Sequence, residues 1–583
     1  MRYIILFLLS CTTVSIVYGQ DDFSDESLSF ARLLEQISRY EKTLSTSDGL
    51  WSGRHPIAIT TFSEEDYQDQ KLQYRSLMDQ LLTIDISHLC TADQISYETM
   101  ELKLKGVIDQ LEYKMYLIPF NAEGGFYNSI ARAIQRLPYE DTSDYDAYLR
   151  WLPSYRSYLE DHMKLLRLGV EEGVVAPKVI VRNAIGHIEP WKASELDKHP
   201  LTAKAMASLD NLPGDKRVKY TRDIQVAMTQ IWPVYHRLDH FLNYFYMEAA
   251  YDKPGISEIP RGREYYEDRA DYFTTLELSP DEIYQRGEEE VARIRAKMEA
   301  IIKEVEFDGS FDSFIQMLRE DERFYADTPE ELLSRAAWLS KKAEGQLPPL
   351  FKHLYEIPFT VEPVPLEIAP TYTSGRYVRG NRKQDRPGIY WVNTYDLKSR
   401  PLYNLPALTV HEAVPGHHLQ IMLAAELDSI AAFRKSFYIS AFGEGWGLYS
   451  EYLGEEMGMY EDPYDRFGRY TYEMWRACRL VVDVGLHYKG WTRQQAIDFL
   501  ASNTALSVHE VTTEIDRYIG WPGQALSYKI GELTIKDLRK RAEEELGETF
   551  DIQEFHHRIL RNGSVPLPTL IREIEGWIAE SKE

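Results

Sequence analysis

Cysteine is scarce in this chain, which has three cysteines among 583 residues. Cys11 falls within an N-terminal leader, so the mature protein would retain Cys90 and Cys478 alone. Small exported proteins that lack a core are held together by many disulfides, and this chain is too long and too poor in cysteine for that class. We therefore expect its stability to come from a large packed core.

Positive charge is also in deficit, since 66 lysine and arginine residues face 92 aspartate and glutamate residues, a net charge of −26. A charge of this sign repels phosphate backbones and anionic membranes, so nucleic acid is not an expected partner. Solubility alone would also account for the excess of acidic residues.

Long hydrophobic runs are absent beyond the N-terminus. Residues 3–17 are apolar, follow Arg2 and end before Gly19, which is typical of a secretory signal over residues 1–19. No later segment reaches the roughly 20 apolar residues that a membrane-spanning helix needs. We expect an exported periplasmic or secreted protein with no transmembrane segment once the signal is removed.

A lipid anchor is the alternative to a free exported protein. The sequence Leu8-Leu9-Ser10-Cys11 weakly resembles the box at which bacterial lipoproteins are modified, which would attach the protein through Cys11. The short stretch that precedes Cys11 argues against this alternative.

Most of the remaining sequence favours helix. Leucine, alanine, glutamate, lysine and arginine are abundant, and apolar residues recur at intervals of three and four. Ser279, Pro280 and Glu282 predict the start of one such helix by a capping box with proline in its first turn. The fold class that we predict is mainly α.

A break rich in proline and glycine, residues 252–262, is the best candidate for a boundary within the chain. It predicts an N-terminal helical lobe over 20–260 and a metal-binding catalytic lobe over 261–583, unless the two form one continuous domain. The most convincing strand is Gly388 to Tyr395, which is β-branched and aromatic without an internal breaker. It predicts a small β element beside the active-site cleft.

The residues with the clearest chemistry are His411, Glu412, His417 and His418. Zinc peptidases commonly place two histidines four residues apart on one helical face, with a glutamate as general base after the first. Here Pro415 occupies the fourth position, and on an unbroken helix His417 would point about 120° away from His411. His418 would lie about 10 Å along the axis, too far to share one ion.

Pro415 resolves this difficulty because it lacks the N–H that would bond the His411 carbonyl, and its ring clashes with that carbonyl. We expect the helix to bulge by two residues there, helped by Gly416, so that His417 becomes the second ligand. His418 then faces a neighbouring direction and is expected to lie on the substrate side.

The third ligand is expected on a following helix. Glu444 is our candidate, because it follows His417 by 27 residues (444 − 417) among small residues that let two helices approach closely. Glu451, two turns further on the same face, is expected to orient a ligand. Glu426 and Asp428 are weaker candidates since they leave little chain for a turn.

Several segments of the sequence resemble those of a known family. The segment from His411 to Gln420 looks like the hallmark of the bacterial domain-of-unknown-function family 885, and further blocks that resemble the family extend over nearly the whole mature chain. These blocks are Arg386-Pro387-Gly388, Asn393-Thr394, Gly443-Glu444-Gly445-Trp446, Arg517-Tyr518, Pro522-Gly523-Gln524-Ala525, Tyr528-Lys529, Gly531, Phe555-His556 and Gly563-Ser564-Val565-Pro566-Leu567.

That family is distantly similar to helical zinc peptidases such as angiotensin-converting enzyme and the oligopeptidases. The resemblance implies a large two-lobed helical fold, one zinc ion and a peptide substrate, although those relatives have the uninterrupted histidine spacing. It also implies Glu412 as general base and Tyr518 as donor to the tetrahedral intermediate, with Tyr528 in reserve.

Recognition of the substrate leaves several possibilities open. The strand from Gly388 could pair with an extended peptide, or it could belong to a structural hairpin. Arg517 or Lys529 could hold a substrate carboxylate, and either could equally be an internal ion-pair partner. Hydrolysis of a non-peptide amide or ester, and peptide binding without catalysis, remain alternative functions.

Overall fold

The computed structural model describes residues 25–45, 49–366, 368–428 and 430–582. The predicted signal sequence and Cys11 lie outside the described residues. Cys90 is exposed and Cys478 is buried, and both are free thiols. No helix in these ranges combines the length and apolarity that crossing a membrane requires.

The first half of the chain is helical, as predicted. The turn Leu242–Tyr246 is a π-helix that joins two of its α-helices. These α-helices are α1 (Asp25–Thr43), α2 (Glu64–Leu82), α3 (Thr91–Glu112), α4 (Ala131–Ile134), α5 (Thr142–Glu172), α6 (Lys178–Ile188), α7 (Ala203–Ser208), α8 (Gly214–Phe241) and α9 (Met247–Ala249).

The second half begins with a helix that confirms a sequence prediction. Ser279 Oγ accepts a hydrogen bond from the Glu282 N–H, the Glu282 carboxylate accepts one from the Ser279 N–H, and Pro280 is the first helical residue. The helices of this half are α10 (Gly262–Thr274), α11 (Pro280–Glu304), α12 (Phe311–Glu320), α13 (Pro329–Glu344), α14 (Leu405–Glu412), α15 (His417–Glu426), α16 (Ser440–Leu453), α17 (Pro463–His487), α18 (Arg493–Asn503), α19 (Val508–Gly520), α20 (Ser527–Leu546), α21 (Ile552–Leu560) and α22 (Leu567–Glu580).

The strands form two small sheets. A short hairpin pairs β1 (Phe120–Asn121) with β2 (Gly124–Gly125). Between α13 and α14 lie β3 (Phe359–Pro363), β4 (Gly375–Val378) and β5 (Gly388–Val392), in the spatial order β3-β5-β4. β5 is parallel to β3 and antiparallel to β4.

β5 confirms the predicted strand, although it ends at Val392 and not at Tyr395. Its residues Gly388, Tyr390 and Val392 are buried and alternate with partly exposed ones. Because β3 and β4 occupy both edges of β5, its backbone has no free edge to offer. Of the two alternatives that the sequence leaves open for this strand, the structural hairpin with β4 is the one observed.

The hydrophobic core runs through both halves. One cluster of buried residues includes Trp151 and Tyr235 from the first half together with Tyr390, Trp446 and Cys478 from the second, while a smaller cluster lies among α1, α2 and α3. The fold is mainly α with a small β element, as expected. The division into two lobes near residue 260 stays a prediction.

Candidate metal centre

The helix that carries His411 is interrupted where Pro415 predicts it. α14 ends at Glu412 and α15 starts at His417, with a cis peptide bond between Val414 and Pro415. The Gly416 N–H donates to the Val410 carbonyl over 3.0 Å, a span of six residues instead of the four of an α-helix. The interruption therefore inserts two residues between the two histidines, as expected.

Contacts from the surroundings hold this turn. A Cβ atom on Gly416 would lie 1.9 Å from the His411 carbonyl oxygen, so the position requires glycine. Trp446 of α16 donates its indole N–H to the Pro415 carbonyl over 2.8 Å. The loop is thus fixed by its own backbone and by the helix that supplies the third side chain of the site.

His411, His417 and Glu444 meet at one point. Their nearest ligand atoms all lie within 4.8 Å of one another. Glu444 Oε2 is 3.5 Å from His411 Nε2 and 3.4 Å from His417 Nε2. Two ligands that bind tetrahedral zinc with bonds of about 2.05 Å are separated by about 3.3 Å. The two separations that involve Glu444 therefore match those expected for ligands of a zinc ion.

This cluster is closed on one side and open on the other. The side-chain exposure rises from 4% for His411 to 11% for His417 and 15% for Glu444. Structural zinc sites use four protein ligands, whereas catalytic sites use three and keep one position for water or substrate. Three candidate ligands of which two are partly exposed match the number of protein ligands in the catalytic type.

The electrostatics of the cluster favour a cation. Burial alone would lower the pKa of His411, but Glu444 and Glu451 raise it to about 9. Burial would raise the pKa of Glu444, while His417 and His411 hold it well below its ordinary value. The space between these side chains is therefore negative enough to attract either protons or a metal ion.

Glu451 makes the contact that its position on α16 predicts. Its Oε1 lies 2.8 Å from His411 Nδ1 and 3.5 Å from Arg476 Nη2. A carboxylate at Nδ1 keeps the proton on that nitrogen, which leaves Nε2 of His411 free to bind a metal ion.

Glycines allow α16 to approach the site this closely. A Cβ atom on Gly447 would lie 2.6 Å from His411 Cε1, and one on Gly445 would lie 2.6 Å from Gly531 Cα in α20. The small residues around Glu444 thus permit backbone contact with α20 on one side and with the His411 ring on the other.

Glu412 lies next to the cluster and is anchored by the sheet. Its Oε2 accepts a hydrogen bond of 2.7 Å from the Tyr377 N–H of β4. Its other oxygen is left to act on a proton, so the side chain can serve as a base at a fixed position.

His418 is not on the substrate side, contrary to expectation. It is fully buried, its Nδ1 lies 3.0 Å from the Tyr377 hydroxyl, and its ring packs against Tyr355 and Phe359. Burial lowers its pKa to about 4, so it is a neutral core residue. It supports the strand that holds Glu412.

Tyr518 is placed in the interior. It is 1% exposed, and its hydroxyl accepts hydrogen bonds of 2.8 Å from Trp475 Nε1 and Arg479 Nε. Such a hydroxyl is not accessible to a substrate, which contradicts its predicted role.

The two basic candidates also have internal partners. Arg517 donates to Glu514 over 3.0 Å and to Gln524 over 2.8 Å. Lys529 is fully buried and lies within 2.9 Å of carboxylates on three different glutamates. Of the alternatives that the sequence leaves open, the internal ion pair is the one observed for both.

Tyr528 and Tyr438 border the site instead. Tyr438 is 42% exposed, and its hydroxyl donates to Glu444 Oε1 over 3.1 Å. Burial and the carboxylate of Glu444 raise the pKa of Tyr438 well above its ordinary value, and Tyr528 and Glu412 add to this increase. Tyr438, Tyr528 and Glu412 therefore lie near Glu444.

Tyr528 is partly buried, and within the described part of the chain its hydroxyl has no hydrogen-bond partner. Tyr528 is thus better placed than Tyr518 to donate a hydrogen bond to a bound molecule. Tyr438 was missed because nothing in the sequence distinguishes it among 40 tyrosines. The weaker ligand candidate Glu426 accepts a hydrogen bond from the Glu356 N–H and takes no part in the cluster.

Comparison with known proteins places this chain in context. The sequence model of the family described as "Bacterial protein of unknown function (DUF885)" matches residues 45–574. A solved structure from Colwellia psychrerythraea aligns with a TM-score of 0.85 and 28% identity over 96% of this chain and 100% of its own.

A structure from Shewanella oneidensis aligns with a TM-score of 0.73 and 16% identity over 94% of this chain and 99% of its own, which shows likeness of the fold alone. Both proteins are described as a "putative lipoprotein", the second also as of unknown function. Among curated proteins, no sequence matches the chain.

Proposed function

This chain belongs to the DUF885 family of bacterial proteins, and we propose that it is an exported zinc-dependent peptidase. The observation that carries the proposal is the meeting of His411, His417 and Glu444 around one point, with Glu412 beside it. Two histidines, one glutamate and an adjacent general base form the donor set of glutamate-class zinc peptidases.

One zinc ion would be held by His411, His417 and Glu444. The separations of 3.4 and 3.5 Å between their ligand atoms fit its preferred bond lengths. When bound, zinc supplies Lewis acidity, which acidifies water and polarises a carbonyl group. Glu451 would keep His411 in the tautomer and orientation that binding requires.

Glu412 is the proposed general base. Its carboxylate would take a proton from the attacking water and return it to the departing amine. The hydrogen bond from Tyr377 fixes one oxygen of Glu412, so the other is available for the proton. Because Glu412 would be held in place in advance, its side chain would not need to reorganise during the reaction.

Tyr528 would donate a hydrogen bond to the developing oxyanion, and Tyr438 could do so by exchanging its bond to Glu444 Oε1 for one to the oxyanion. The Tyr528 hydroxyl, which has no hydrogen-bond partner in the described part of the chain, and the exposure of Tyr438 favour these residues over Tyr518. A single donor of this kind typically contributes about 10²- to 10³-fold to turnover.

Export is part of the proposal, and the descriptions of the similar structures bear on whether the exported protein carries a lipid anchor. A lipoprotein description for the structure that is 28% identical supports the alternative of a lipid anchor at Cys11. Labelling of the protein with palmitate in cells, and loss of the label in Cys11→Ser, would identify this anchor. An unlabelled protein in the soluble fraction would favour cleavage after Gly19.

The experiment for the catalytic proposal compares wild type with Glu412→Gln in one preparation. Wild type should hydrolyse peptides, lose this activity to a chelator and regain it with zinc. Glu412→Gln should keep zinc and peptide affinity while turnover falls at least 10²- to 10⁴-fold, because the proton acceptor is gone. Glu426→Gln is the matched control and should behave as wild type.

The outcomes also separate the alternative functions. Equal hydrolysis by wild type and Glu412→Gln would contradict the mechanism even with zinc present. Hydrolysis of ester or amide substrates but not of peptides would indicate a different hydrolase. Peptide binding without any turnover would indicate a binding protein of the same fold.

A further inference from the structure

The segment that begins in β4 and leads to β5 carries a positive charge that is unusual for this chain. Residues 376–386 contain five basic residues and one acidic residue, a net charge of +4 (5 − 1), whereas the whole chain carries −26. A run of charges is often no more than a solvated surface, so the contacts of its members decide its role. Those basic residues are Arg376, Arg379, Arg382, Lys383 and Arg386.

Most of the arginines in this segment have a partner. Arg382 pairs with Glu356. Arg379 donates to the Lys435 carbonyl over 2.8 Å, and Arg386 lies 3.4 Å from the Arg379 carbonyl. Arg376 differs, because within the described ranges its guanidinium has neither a hydrogen bond nor an ion pair, and it lies 5.8 Å from the centre of the Tyr372 ring.

Arg376 is close to the proposed centre. It directly precedes Tyr377, whose N–H holds Glu412 at 2.7 Å. Since side chains alternate along a strand, the Tyr377 ring points to His418 in the core and Arg376 points to the opposite face, where it is exposed. Arg376 therefore faces the open side of the sheet beside Glu412.

Acidic and aromatic groups lie around Arg376. Desolvation by nearby protein would lower its pKa, yet Tyr372, Glu412 and Glu123 raise it above its ordinary value. The Arg376 side chain is thus exposed while it stays close to Glu412 and Glu123. Glu123 belongs to the hairpin β1–β2, which packs on the end of α19 at Gly520.

We propose that Arg376 binds a carboxylate of the substrate and so directs the site towards peptides that carry a negative charge near the cleaved bond. This inference rests on the proposed function. It gives Arg376 the role of holding a substrate carboxylate in place of Arg517 and Lys529, whose charges are already paired. A guanidinium matches a carboxylate with two parallel hydrogen bonds. The carboxylate could be a C-terminus or an acidic side chain.

The test measures peptide affinity in a Glu412→Gln background, where substrate is bound without turnover. The probes are N-acetylated hexa-alanine with a free C-terminus, its C-terminal amide, and amidated versions with one central glutamate or glutamine. Arg376→Gln should weaken binding of a carboxylate probe by about 10- to 100-fold, as a charge-assisted hydrogen bond predicts. Binding of the neutral probes should change less than about 3-fold.

Two further variants complete the experiment. Arg376→Lys should recover part of the preference for charged probes because it keeps the charge without the two parallel donors. Arg379→Gln removes the same charge from the same segment and should alter affinity less than about 3-fold, since its guanidinium is held by the Lys435 carbonyl. Whether the free C-terminus or the central glutamate is preferred identifies the source of the carboxylate.

The result that overturns this inference is an equal loss for charged and neutral probes in Arg376→Gln, which would indicate that Arg376 supports Glu412 or the fold. Zinc content and thermal unfolding of each variant detect the latter. Failure of wild type to hydrolyse any peptide would refute the proposed function, whereas the affinity comparison would still decide the role of Arg376.

Discussion

Glu451 offers a sharp test of how the candidate metal centre is built, through the substitution Glu451→Gln. The change keeps the shape of the side chain and removes its charge. Glu451 has 3% side-chain exposure and lies 2.8 Å from His411 Nδ1, on the side of the ring away from the metal position. It should therefore affect zinc through His411 and not through the loss of a ligand.

The expected loss of zinc affinity is about 10- to 100-fold, which is the usual effect of a group that orients a metal ligand. This corresponds to about 1.4 to 2.7 kcal/mol. Glu444→Gln removes a ligand from the centre and should cost more than Glu451→Gln. Glu426→Gln, on the same stretch of chain but outside the cluster, should change zinc affinity less than about 2-fold.

Glu451→Gln should also destabilise the metal-free protein. Arg476 is 5% exposed and lies 3.5 Å from Glu451, so the substitution weakens a buried ion pair. Arg476 keeps its bond to the Tyr472 carbonyl, and we expect a loss of about 1 to 3 kcal/mol.

The assay must separate these two effects. Competition with a chromogenic chelator gives the zinc dissociation constant, and urea unfolding of the chelator-treated protein gives the stability without metal. A fall in metal-free stability with zinc affinity within 2-fold of wild type would refute the reasoning, because Glu451 would then support the core alone. An effect larger than that of Glu444→Gln would contradict the assignment of Glu444 as ligand.

Two further predictions concern the two adjacent histidines and the buried carboxyl group of Asp483. His417→Ala should abolish stoichiometric zinc binding while His418→Ala should retain it, and metal analysis showing the reverse would exchange their roles. Burial raises the pKa of Asp483 to about 7, so the folded protein binds this proton more tightly than the unfolded chain does. The free energy of unfolding should therefore fall by about 2 kcal/mol from pH 5 to pH 7, and urea unfolding of Asp483→Asn should lack this part of the decrease; an unchanged decrease would mean that other groups cause it.

The sequence by itself determined the features that depend on near neighbours in the chain. A capping box and a proline predict the start of α11 because the bonds involved join residues three apart. Pro415 predicts the interruption between His411 and His417 because a missing N–H and a ring clash act on the same helical turn. The spacing of the histidines therefore led to the pair of side chains that lie together with Glu444 in the structure.

The position of Glu444 was within reach of sequence reasoning for a similar reason. The chain passes through α15 before α16 returns against α14, and the glycines around Glu444 indicate a close helix contact. The residue blocks shared with a family strengthened this choice, although they carry no geometry.

Only the tertiary structure decided which polar residues remain available to a substrate. Tyr518 and Tyr528 lie ten residues apart with similar neighbours in sequence, yet packing against Trp475 and Arg479 encloses the first. Lys529 is neutralised by glutamates from α11, α17 and α20, whereas Arg376, beside Glu412, has no ion-pair partner among the described residues. Such pairings join residues far apart in the chain, and their distances follow from how whole helices pack, which no local pattern of residues specifies.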